Sequence, residues 1–428
     1  MSLQLLVILV PVFFGLMGFA IDLGRLYLVR GEINQAANAM ALAAASQLIG
    51  TPASLDNATA AATQSINDAN GVANRYNFGA LLLNQSTGNL TSVVNDPSFF
   101  ATVADAAGGT AQQSDGTTAR HVQIRLTAEA PLLFWSLLPG GESRKTTIAG
   151  QATAGISAPL CVACGIEPFA VAAINTSDTD NFGFGDPSAG NLFTFFYECL
   201  GTPTPVVLTG APNLLPYALV NRFDAGNATL DETQQLYRDG AGGLPGSTNP
   251  NPTGSPVPLA CVGVNDTRDT LWATAVPNQC ALPVLPSVTD ALCGLYSRFD
   301  NANPSVACTT NVTAFPDLSA AYPTDTDLVT GLADPYTSYT GNGRRIITVA
   351  VVSSLPTDTV APMQILGFRQ FLLEPNQDGS FFNASDANGR FAAMYIGSPA
   401  PVRQGWFDDH FGLSCQVTSG PGKVVLHQ

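Results

Sequence analysis

The 428 residues carry 17 Lys and Arg against 32 Asp and Glu, a formal charge of −15. That balance excludes nucleic acid and anionic lipid headgroups as partners, because phosphates are held by basic faces, and only Lys145 and Lys423 supply lysine. Forty Gly, 30 Pro and a charged fraction of 11% suit short strands joined by many turns, in a chain long enough for two or three packed domains.

The first element is apolar. From Leu3 to Ile21 the run LQLLVILVPVFFGLMGFAI holds no charge, and as a helix it spans about 28 Å, the thickness of a bilayer core. Pro11 is tolerable in such a helix. A cleaved signal peptide would show a basic start and a small-residue cleavage site directly after the run. Here only Met1 and Ser2 precede it and ALAAAS begins at Ala41, so the segment reads as a retained anchor over 1–24.

Asp22 and Arg25 stand three apart, an i, i+3 pair placed to meet at the membrane boundary, and Arg25 and Arg30 can reach toward headgroups. Ala20 and Gly24 form a small-xxx-small step that lets another helix approach closely. Beyond them Ile33, Ala36, Ala37, Met40, Ala44 and Leu48 recur at helical spacing. This predicts a stalk helix over 25–50 with a narrow alanine face, packed either on the chain's own soluble domain or on another subunit.

The pattern stays helical and alanine-rich from Thr51 to Arg75, with a stop at DANG, Asp68–Gly71. HVQIRLTAEA from His121 alternates Val122, Ile124 and Leu126 with polar residues, as a half-buried strand does. Residues 51–158 are thus expected to form a small α+β module.

The order of apolar helix, then Asp22, Gly24, Arg25, Leu26 and Tyr27, then Asn34, Gln35, Ala36, Ala37, Ala39, Ala41, Leu42 and Ala43 resembles the tight-adherence (Tad, or Flp) pilus-assembly proteins of the TadE/TadG type. His121–Ile156 is similar to that family's strand, short apolar helix and return strand. Arg344–Val352 with Leu366–Pro375 resembles paired strands near the end of TadG-like chains. The resemblance implies a non-enzymatic assembly component. It would be anchored in the inner membrane, with most of the chain in the periplasm or at the cell surface. Its partners would be other pilus-assembly subunits or pilin helices, with an oligomer as one arrangement. It lacks the basic leader and early glutamate of prepilin-like members, which argues against pilin-style processing. Arg25 and Arg30 with nothing basic ahead of the anchor would place the domain in the cytoplasm, opposite to the resemblance; a true start upstream of Met1 would reconcile the two.

Past residue 158 the texture turns to short apolar runs bounded by Gly, Pro and Asn, the mark of a β-rich domain over 159–428. GIEPFAVAAI, NLFTFFYECL, TPVVLTG, RFAAMYIGSP and KVVLHQ are its candidate strands, and RRIITVAVV reads as a central one covered on both faces. Gly240–Pro258 reads as a loop, within 239–259. Cys161, Cys164, Cys199, Cys261, Cys280, Cys293, Cys308 and Cys415 all lie in this half. Their even number suggests disulfides and an oxidising compartment, with pairing left open. The CVAC pair has no second CxxC and no nearby histidine, as zinc would require.

Candidate chemistry is sparse. His121, His410 and His427 are the histidines, and only His410, beside Asp408 and Asp409, sits in a cluster. It lacks a second histidine at ligand spacing. Asn175–Asp186 offers Asp178, Asp180 and Asp186 in an oxygen-rich loop without the EF-hand spacing, so an Asx-turn loop is expected ahead of a calcium site. Trp406 reads as core or as a surface anchor. No catalytic, metal or cofactor residues are expected. An anchored adhesin is the competing reading, and a secreted hydrolase working through Asp408 or His410 a weaker one.

Overall fold

One α-helix, α1 (Ser2–Ala45), runs 44 residues through Pro11 without interruption, about 66 Å at 1.5 Å per residue. Anchor and stalk are therefore a single rod. The computed structural model describes residues 2–66, 93–94, 97–132, 134, 145–157, 162–164, 166–199, 204–222, 261–263, 270–273, 286–296, 345–355, 362–374, 386–400, 404–406 and 422–427. The architecture is mixed: this apolar helix, then a strand-rich remainder. Two compact units divide it, Met1–Leu48 with Leu55–Gly155 and Val424–Gln428, and Ile49–Ser54 with Ile156–Lys423.

In the first unit α1 is joined by α2 (Ser54–Ile66), β1 (Val93–Val94), β2 (Ser98–Phe100), α3 (Val103–Gly108), β3 (His121–Pro131) and β4 (Lys145–Ile156). The far end of the chain adds β15 (Val424–His427). The sheet order is β1-β3-β4-β15, with β2 on the other stretch of β3. β3 and β4 pair antiparallel from His121↔Gly155 to Pro131↔Lys145, a long hairpin.

Against this sheet lies the buried stripe of α1. Ile33, Ala36, Ala37, Met40, Ala41 and Ala44 are all enclosed, in one core with Val122, Ile124 and Leu126 of β3 and Ala152 and Ala154 of β4. The approach is close because both surfaces are small. A Cβ added to Gly150 of β4 would fall 2.5 Å from Ile33 Cγ2 and 3.2 Å from the Ile33 carbonyl carbon. The alanine face is thus filled by the chain's own sheet.

The second unit contains β5 (Val162–Cys164), β6 (Phe169–Ala172), β7 (Leu192–Tyr197), β8 (Asn213–Arg222), β9 (Cys261–Gly263), β10 (Thr270–Ala273), α4 (Pro286–Tyr296), β11 (Ile346–Val352), β12 (Pro362–Glu374), β13 (Phe391–Gly397) and β14 (Gln404–Trp406). Six of these strands close on themselves. β12 pairs β11, β11 pairs β6 in parallel, β6 pairs β8, β8 pairs β7 in parallel, β7 pairs β13, and β13 returns to β12. β10 adds across β12 and β8. Closure removes the free edges that an open sheet would present.

An aromatic cluster fills the core of this barrel. Phe195 stacks on Phe391 with centroids 4.7 Å apart and meets Phe371 edge-on at 5.0 Å; Phe169, Phe184, Phe193, Tyr217 and Tyr395 are among the other rings of the cluster. Val288, Ala291, Leu292 and Leu295 of α4 join the same core. All seven residues of β11 are buried, because Ile347, Val349 and Val351 enter that core while Ala350 and Val352 belong to a second cluster with Ile365 and Phe368. A separate small sheet runs β14-β5-β9.

Two expected strands differ. TPVVLTG is a loop with Val206 three-quarters exposed; Pro203 and Pro205 remove the ladder donors a strand needs there, and the strand forms downstream as β8. KVVLHQ is a strand, but of the first unit's sheet. The stop at Asp68–Gly71, the loop at 239–259, the apolar helix expected after Leu132, Trp406's side chain, and Cys161, Cys280, Cys308 and Cys415 lie outside the described residues.

Because α1 sits so close to β3 and β4, Ala37→Leu is expected to lower stability by about 1–3 kcal/mol through overpacking. Ala20→Leu, on an exposed position, should stay within about 0.5 kcal/mol. Urea unfolding of the detergent-solubilised protein reads both; equal midpoints would contradict the packing described.

Candidate membrane-boundary site

From Leu9 to Leu28 the surface of α1 is exposed and apolar nearly all round, with Phe13, Phe14, Leu16, Met17, Phe19 and Leu23 each more than half accessible. A helix lying on a soluble core shows an apolar stripe instead. By length and composition α1 can cross a membrane.

Where this surface ends, Phe134, just past β3, meets the helix. Asp22 is buried, and its Oδ2 accepts the backbone N–H of Phe134 at 3.0 Å. One turn earlier Gly18 is buried as well: a Cβ there would fall 2.8 Å from Phe134 Cβ and Cγ. Glycine at 18 therefore allows the Phe134 side chain to lie directly on the helix backbone. Beside this contact is a cleft of about 240 Å³ lined by Phe19, Asp22, Leu23, Leu26, Leu132 and Thr146.

The predicted boundary residues separate on this geometry. Asp22 is held by the hairpin, Arg25 is half-buried, and Gly24 and Ala20 are exposed, with nothing within 4 Å of a Cβ added at Gly24. Gly18 is the glycine that supports a close approach, and sequence reasoning missed it. The uncharged stretch of residues 130–141 in the hairpin was the available signal. Ala36, Ala37, Met40 and Ala44 are buried in the first unit's core.

The acidic loop of the second unit is internally bonded. Asp178 accepts the N–H groups of Asp180, Asn181 and Gly183; the bonds from Asn181 and Gly183 hold its carboxyl below the ordinary carboxylate range. Arg369, buried, donates from Nε and Nη2 to the Asp180 carbonyl and from Nη2 to that of Thr179, with its guanidinium 4.3 Å above the Phe182 ring. Asp186 accepts from Ser188. His410 with Asp408 and Asp409 lies outside the described residues.

Cys199 and Cys293 are buried, and Cys164 sits opposite Cys261 in the β5–β9 register. In the first unit His121 of β3 meets His427 of β15 edge-on, with ring centroids 5.1 Å apart.

Residues 2–47 match the profile of a family described as putative Flp pilus-assembly TadE/G-like. The match covers α1 and the turn after it, so a Tad-like pilus-assembly segment opens the chain. No curated protein and no solved structure matches the chain.

The histidine contact has a pH consequence. Burial first, then the neighbouring His427 and Arg120, lower His121 from 6.5 to about 4, and burial lowers His427 too. A histidine kept neutral in the fold contributes stability that is complete above its unfolded value and is lost as pH falls. The thermal midpoint of the protein is expected to drop between pH 6.5 and about 4, with H121Q reducing that slope. An unchanged slope in H121Q would show that the histidine does not report there.

Proposed function

We propose that the protein is a membrane-anchored, non-enzymatic structural component of a Tad (Flp) type pilus machine. In this reading α1 crosses the inner membrane, with both units in the periplasm or at the cell surface. One coincidence carries the proposal. The segment matched to the pilus-assembly family, residues 2–47, is the helix that is long and apolar enough to cross a membrane.

The mechanism is mechanical. The exposed part of α1 is available to lipid and to partner helices, with Ala20 and Gly24 permitting close helix–helix approach. The part from Val29 onward is locked into the first unit's core. A displacement of the anchor is therefore passed to that unit without a hinge, which suits a subunit that holds position in an assembly. Partners on this reading are other pilus-assembly subunits or pilin helices that meet α1 within the bilayer. The barrel of the second unit offers loops on a rigid frame, a form suited to protein contacts.

An oxidising compartment fits the cysteines. Among the described residues none is free. Directly opposite positions on antiparallel strands, as Cys164 and Cys261 are, lie about 4.5–5.5 Å apart at Cα, within the disulfide range.

Deletion of the gene in a piliated bacterium is expected to remove surface pili, and the full-length chain to restore them. The protein should stay in the membrane pellet after alkaline carbonate extraction, while a Phe14→Arg, Leu16→Arg double variant is released and fails to restore pili. Full piliation in the deletion strain, or wild-type protein found soluble, would overturn the reading.

A further inference from the structure

We propose that Leu132 and Phe134, just past the end of β3, make a second membrane contact. They enter the edge of the hydrocarbon beside α1, and the cleft between them and the helix takes a lipid acyl chain. This rests on α1 being the membrane anchor.

Depth is the first argument. If Leu3–Ile21 fills about 28 Å of hydrocarbon, Asp22 marks its boundary. Gly18 then lies about 6 Å deeper, four residues along the helix. Phe134 touches Gly18 and bonds to Asp22 through its backbone. A residue fixed to both positions is carried to the depth of the helix turn between them.

The chemistry of this segment agrees with that depth. Between Glu129 and Glu142 the chain has no charged residue. Leu132 is half-buried, whereas Phe134 keeps 38% of its surface accessible, beside a helix face that is itself apolar and open. The cleft is lined by Phe19, Leu23, Leu26 and Leu132, and only Asp22 and Thr146 bring polar atoms to it.

Backbone polarity would ordinarily keep a turn out of lipid, since an N–H without an acceptor is strongly disfavoured there. Asp22 supplies that acceptor for Phe134. The occupant is hydrocarbon. The cleft continues the exposed apolar surface of α1, and the chain's net charge of −15 gives no basis for attraction to anionic headgroups.

The test places a photo-crosslinking phenylalanine analogue at Phe134, and in a separate protein at Phe14, in the full-length chain in native membranes. Phe14, 68% exposed on α1, reports the anchor alone. Phospholipid adducts from both positions, identified by mass, are the expected result. Lipid adducts from Phe14 with none from Phe134, or with another polypeptide captured at Phe134 in place of lipid, would overturn the proposal and leave the anchor standing. Absence of lipid adducts at Phe14 would overturn the anchor and this inference with it.

Discussion

Everything in the first unit depends on how close α1 comes to its sheet. Alanines on the helix and Gly150, Ala152 and Ala154 on β4 bring backbone nearly against backbone. Each small side chain contributes little area by itself, but the close approach multiplies dispersion contacts along the interface. It also leaves no room for a side chain to give way. The rod therefore has two unlike halves, one immersed in its own protein core and one bare and apolar. Sliding the helix by one turn would move Ile33 off Gly150 and drive larger groups into the sheet. Fixed register, more than total burial, is what this packing secures.

The second unit reaches rigidity by a different route. Its barrel combines four antiparallel with two parallel pairings and closes on itself, so the ladder hydrogen bonds run around the ring. Aromatic rings fill the interior at edge-on and stacked distances. Buried Gln370 is paired with the backbone: its Nε2 donates to the Ala400 carbonyl at 2.8 Å while its Oε1 accepts the Ala400 N–H at 2.7 Å. Arg369 does the same for the 175–186 loop, including Phe182 at φ +54°. That loop is held from inside by the Arg369 guanidinium, which bonds the Thr179 and Asp180 carbonyls.

Local periodicity made part of this legible. The 3.6-residue stripe of α1 and the alternation of β3 are short-range signals, and the unbroken apolar run of β11 marks a strand covered on both faces. What stayed hidden is non-local. Pairing β6 with β11, about 180 residues later along the chain, leaves no mark in either segment's pattern. β15 resembles any other short strand, and only its partner β4 shows which unit it completes. Proline chemistry around TPVVLTG was visible but was outweighed by its apolar composition. Gly18 looked like one small residue among many in a membrane-grade run, because its significance is set by Phe134, 116 positions further on.

Asp22 shows how such a distant contact changes the meaning of a residue. Read along the helix, it is a charge at a boundary, balanced by Arg25 one turn away. In the fold its Oδ2 also accepts a backbone N–H from a hairpin 112 residues later. A carboxylate has two oxygens and several lone pairs, so serving the hairpin does not prevent it from facing a cation as well. The acid is needed where it stands because a turn brought against an apolar helix carries an N–H that neither water nor a strand partner will satisfy. With α1 as the proposed membrane anchor, a carboxylate one turn deeper would lose access to the interface and its desolvation would outweigh the bond it makes. Moved one turn outward, it would leave Phe134 unsupported. The position of Asp22 is thus set from two sides, by the end of the apolar run on α1 and by Phe134, whose backbone N–H it accepts.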